Sequence, residues 1–91
     1  MSGAHERIRA LRPDLVERRG DRILLVWAAP GAWLVADQEL VQLVRELDGR
    51  RPMQAVVGRL ARRWGRAPAA VIGELNPAIG ALRDLGVIGP L

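Results

Sequence analysis

The stretch Leu47-Asp48-Gly49-Arg50-Arg51-Pro52, with the amphipathic run from Met53 to Trp64 directly behind it, decides the fold class of this chain. Asp48-Gly49 closes a helix, because Gly49 can take the left-handed conformation that a helix end requires. Pro52 suits the first turn of the next helix, where its missing N–H would have had no partner. Upstream, Leu40, Val41, Leu43, Val44 and Leu47 recur at helical spacing behind Asp37, whose carboxylate can cap the first turn. Downstream, Met53, Val56, Val57, Leu60 and Trp64 fall on one face, Arg59, Arg62 and Arg63 lie toward the other, and Gly65 is the stop. Two consecutive helices joined by a tight turn are therefore expected.

A third helical region begins near Pro68 and carries Val71, Ile72, Leu75, Ile79, Leu82 and Leu85 inward, with Gly86 as terminator. Asn76-Pro77 interrupts it, since proline removes an interior hydrogen bond and disfavours helical geometry in the residue before it. One kinked helix is the expectation; a separate helix capped by Asn76 is the alternative.

Strands precede the helices. Leu15-Val16-Glu17-Arg18-Arg19 leads through Gly20-Asp21 into Arg22-Ile23-Leu24-Leu25-Val26-Trp27, a hairpin rich in β-branched and aromatic residues. Ala28-Ala29-Pro30-Gly31 makes the next turn, and Ala32-Trp33-Leu34-Val35-Ala36 completes a meander with its third strand at one edge. Residues 1–11 read as a flexible tail or a single helical turn, and residues 12–91 as the one domain. The fold class expected is α+β, winged helix-turn-helix-like: a three-stranded antiparallel sheet followed by three helices.

Composition narrows the functions. The chain of 91 residues has no Cys, Tyr or Phe; reading along it also finds no Thr or Lys. Ser2 and His5 are its single serine and histidine, both in the expected tail. No ordered nucleophile stands beside a base, and no set of soft or imidazole ligands exists for zinc or iron. Asp14, Glu17, Asp21, Asp37, Glu39, Glu46, Asp48, Glu74 and Asp84 read as solvated charges. The composition thus argues against an enzyme, and no cofactor or metal is expected. No apolar run reaches the ~20 residues of a membrane span, and the first dozen residues do not resemble a signal peptide, so a cytoplasmic protein is expected. The net charge is +4 and every basic residue is arginine. Alongside abundant Ala, Gly, Pro and Val, that usage first suggests GC-rich coding, before any arginine is given a role.

The segment of residues 47–61, with the aromatic-Gly pair Trp64-Gly65 after it, resembles the PqqD family, in which a Leu-Asp-Gly turn precedes such a helix. Residues 82–88, Leu-Arg-Asp-Leu-Gly-Val-Ile, resemble the closing segment of that family. The resemblance covers residues 12–88 and is specific from Asp37 onward. It implies a RiPP recognition element: a winged helix-turn-helix module that binds the leader of a ribosomally made precursor peptide and presents its core to a modifying enzyme, often a radical SAM protein. In that family the leader adds a strand in a cleft between the third strand and the third helix. On this chain the peptide-binding residues would be Ala32, Trp33, Leu34, Val35, Ala36, Val71, Leu75 and Ile79, with Arg62, Arg63 and Arg66 as a rim for an acidic leader. Asn76-Pro77 departs from the family pattern within the groove-forming helix.

The residues speak to the same role on their own terms. Ala32–Ala36 is uncharged and β-prone, and such an edge pairs with a passing chain unless something guards it. The plainer reading is that Trp33, Val35 or Leu34, like Val71, Leu75, Ile79 and Leu82, fills the core, and that the arginines are a solvated face. Two other functions compete: a winged-helix DNA-binding protein and a homodimeric structural adaptor. Against the first, Pro68-Ala69-Ala70-Val71 offers nothing that reads a base edge.

Overall fold

The computed structural model describes residues 6–90. Its elements run β1 (Arg7–Ala10), β2 (Leu15–Arg19), β3 (Arg22–Trp27), β4 (Ala32–Ala36), α1 (Gln38–Glu46), β5 (Asp48–Pro52), α2 (Met53–Trp64), α3 (Pro68–Asp84) and β6 (Ile88–Pro90). The meander and the three helices stand where the sequence places them. The sheet count does not: there are two antiparallel three-stranded sheets, β2-β3-β4 and β5-β1-β6.

The second sheet corrects two expectations. Arg7–Ala10 is a central strand, with Ile8 only 3% exposed in the core, so residues 7–10 are not a tail. The rest of the expected tail, residues 1–5 with Ser2 and His5, lies outside the described residues. Asp48–Pro52 is likewise a strand rather than a bare turn. Gly49 does take a positive φ of 78°, but it does so where the pairing with β1 slips between Arg7 and Arg9. Such an irregularity bends the strand and lets β5 lead at once into α2. Asp48 accepts from the Arg50 amide at 2.9 Å, and Pro52 is the N-cap of α2 rather than part of its first turn.

The helices follow their apolar spacing. Val41, Leu43, Val44 and Leu47 from the first helix region and Met53, Val56, Val57 and Leu60 from α2 are buried in one cluster with Ile23, Leu25 and Trp27 of β3. Asp37 caps α1 by accepting from Leu40 N–H at 2.8 Å. α3 is one helix with Pro77 inside it; Val71, Leu75 and Leu82 are buried, whereas Ile72, expected inward, is exposed. Trp27 is in the core and donates its indole N–H to the Leu11 carbonyl at 2.8 Å, joining the meander to the chain leaving β1. No charged or polar side chain among the described residues is buried, so the interior is held by apolar packing.

Candidate functional site

The register of the meander determines what its edge offers. Gly20-Asp21 is a two-residue turn, with Gly20 at φ 62°, and it closes on the pair Arg19 and Arg22. A two-residue hairpin makes its closing pair hydrogen-bonded. Alternation then directs the backbone groups of Leu24 and Val26 toward β2 and those of Ile23, Leu25 and Trp27 toward β4. In β4 the partners of Leu24 and Val26 are Val35 and Trp33, so the N–H and C=O of these two residues face away from the sheet. Among the described residues no strand pairs with them. An unused donor and acceptor set is present.

Beside that edge lies a groove of about 380 Å³ lined by Val35 and Ala36 of β4, Asp37, Glu39 and Leu40 at the start of α1, Trp64 of α2, and Glu74, Leu75 and Ala78 of α3. Its size is within the range of small-ligand clefts, ~300–1,000 Å³. Leu40, Leu75, Ala78 and the ring of Trp64 give it apolar walls, and the Trp64 indole N–H is fixed by Gln42 Oε1 at 2.6 Å. Arg66, in the loop between α2 and α3, bridges two of the lining carboxylates. Its guanidinium donates to Glu39 at 2.7 Å and to Glu74 at 2.6 Å, and lies 5.6 Å from the centre of the Trp64 ring. The hydrogen-bonded Glu39 carboxylate holds the Arg66 guanidinium above its ordinary pKa.

Three of the expected site residues, Val35, Ala36 and Leu75, line this groove, and Arg66 bonds to two carboxylates on its wall. The others are placed elsewhere. Ala32 and Val71 are buried in the core, while Leu34 and Ile79 are half-buried against it. Trp33 stands on the outer face of the sheet, 66% exposed, beside Val26. Arg63 reaches Glu46 at 3.6 Å, and the Arg62 guanidinium runs back along α2 toward Gly58. Arg62, Arg63 and Arg66 therefore do not form one rim. Sequence reasoning missed Asp37, Glu39, Leu40, Trp64, Glu74 and Ala78. Glu74 sits three after Val71 and Ala78 three after Leu75, helical neighbours of residues already singled out, and that spacing was the available signal.

The other edge of the sheet contrasts with β4. β2 carries Glu17, Arg18 and Arg19, and Glu17 and Arg19 pair at 3.0 Å. Charges of this kind guard an edge. A second cleft of about 420 Å³ under β2 is bounded by Arg12, Pro13, Val16, Leu25, Val41, Val44 and Arg45. Among the described residues no group of His, Asp or Glu could hold a metal ion, and no helix is long and apolar enough to cross a membrane. No protein-family model, curated protein or solved structure matches the chain.

Proposed function

We propose that this chain is a non-catalytic peptide-binding module of the PqqD-like kind, a RiPP recognition element. It takes the leader of a ribosomally made precursor peptide as an added strand along β4 and presents the core to a modifying enzyme, a radical SAM protein or similar. One observation carries the reading: Val35, whose outward N–H and C=O groups continue those of Trp33 along the open edge, lines the groove that Leu75 and Ala78 close from α3. The α2–α3 pair behind the meander suits a winged helix-turn-helix arrangement, and the protein acts in the cytoplasm without a cofactor.

The test is a titration of the full chain with a fluorescent leader peptide encoded by a short reading frame beside the gene. Micromolar or tighter binding is expected. Val35→Pro removes a donor that the sheet itself does not use, so it weakens binding at least tenfold while the melting temperature falls little. Unchanged affinity in that variant removes strand addition; no leader binding together with salt-sensitive DNA binding transfers the role to a winged-helix DNA-binding protein.

A second reading is self-association. Leu15, Val26 and Trp33 align across the outer sheet face, with Leu24 and Val35 in the next row, and Leu15, Trp33 and Val35 are exposed. An apolar row of that kind fits a twin or the partner enzyme.

A further inference from the structure

The site rests on the open β4 edge and the groove beside it, and the charges around that groove decide what it takes. Asp37, Glu39 and Glu74 line it, and the guanidinium bound to these carboxylates is that of Arg66, shared between Glu39 and Glu74. The local balance is an excess of two negative charges in a chain whose net charge is +4. The groove thus inverts the sign of the molecule that carries it. Arg63 and Arg59 add nothing to this balance, because Glu46 holds them, at 3.6 and 2.8 Å.

We infer that the added strand is a basic one, in which apolar residues alternate with lysine or arginine, the cation lying at the Asp37 end of β4. This inference rests on the strand-addition reading above. Side chains of a strand laid beside β4 alternate between the outer face and the groove. The groove side of such a strand meets Leu40, Leu75 and Ala78, which suit an aliphatic residue, and at the Asp37 end it meets carboxylates from two helices. A twin copy is a poorer occupant, because β4 carries no cation and pairing it with itself supplies none. Arg66 occupies the carboxylates that a guest cation would approach, so it acts as a competitor built into the fold.

Three fluorescent peptides of equal length test this, with valine alternating with lysine, with glutamate or with serine, measured by anisotropy against the full chain at low and physiological salt. The lysine peptide binds tightest, roughly fivefold better than the serine peptide, and its advantage shrinks as salt rises. The net charge of the protein favours the glutamate peptide, so a preference for lysine must come from the groove. Glu39→Gln with Glu74→Gln erases that preference. Asp37→Asn, which keeps an acceptor for the helix cap, reduces it should the double variant fail to fold. Arg66→Ala strengthens lysine-peptide binding about threefold, whereas Arg62→Ala, the same charge change away from the groove, leaves it alone. The inference is overturned if the glutamate peptide binds as tightly as the lysine peptide, or if the lysine preference survives neutralisation of both glutamates. Equal binding of all three peptides that disappears in Val35→Pro overturns the charge inference and leaves strand addition standing. No binding by any of them overturns both.

Discussion

Glu46 gathers arginines that read in the sequence as a solvated face. Its carboxylate is 11% exposed and takes Arg59 at 2.8 Å, Arg63 at 3.6 Å and Arg51 at 3.8 Å, tying the end of α1 to β5 and α2. Hydrogen bonding to Glu46 holds the Arg59 guanidinium above its ordinary pKa. Glu46→Gln leaves three guanidiniums facing one another, and urea denaturation should show a loss of about 1–2 kcal/mol. Asp48 gives the pH dependence. The Arg50 amide, followed by Arg51 and Arg50 charge, outweighs burial and lowers its pKa. A carboxyl lowered on folding stabilises above its unfolded pKa and loses that contribution as pH falls through the folded value. The stability advantage of wild type over Asp48→Asn is accordingly present at neutral pH and vanishes below the depressed folded-state pKa, as melting curves across that interval would show. A gap that widens in acid would contradict the assignment. The Glu46 partnerships were not legible in the sequence, because they join residues from separate elements whose approach only the fold defines, whereas Asp48 and its partners are neighbours within β5.

Elements with local pairing were legible, and elements with distant pairing were not. β2, β3 and β4 are linked by turns of two and four residues, so alternation and turn chemistry appear together in one window. β1 finds its partners in β5 and β6, which follow it across most of the chain. Its four residues, Arg-Ile-Arg-Ala, alternate correctly but are too few to stand out against a frayed end. Ile8→Ala separates the two descriptions. In a tail it would cost nothing, whereas a residue 3% exposed should cost about 2–4 kcal/mol in chemical denaturation. Pro77 sits inside a helix that local pattern did reveal. The expectation of one helix through it, rather than a separate helix capped by Asn76, holds: α3 continues from Pro68 to Asp84 because Val71, Leu75 and Leu82 anchor both halves to the core. Pro77 is exposed, so Pro77→Ala restores the missing amide and should raise stability by roughly 1–3 kcal/mol. A loss of stability on that change would mean the proline shapes the packing of α3.

At the scale of the whole molecule the two sheets divide the work. β5-β1-β6 ties the two ends of the described chain to its middle, while β2-β3-β4 leaves the uncharged β4 edge unpaired and its outer face exposed. The open edge was legible, because Ala32–Ala36 is a short uncharged run between a turn and a cap. The walls of the groove were only partly so: Leu75 belongs to a visible apolar stripe, but Trp64 and Leu40 read as core from their own helices and become wall only where three helices meet β4. An edge free on one side pairs with a twin when no guest is present. Concentrated protein should therefore show reversible dimers by sedimentation velocity, and Val35→Pro should return them to monomers without unfolding. A bound leader peptide should do the same, because guest and twin need the same donors and acceptors on Trp33 and Val35. Dimers that persist in Val35→Pro but disappear in Trp33→Ser would locate self-association on the outer face, where a twin and a peptide can bind together.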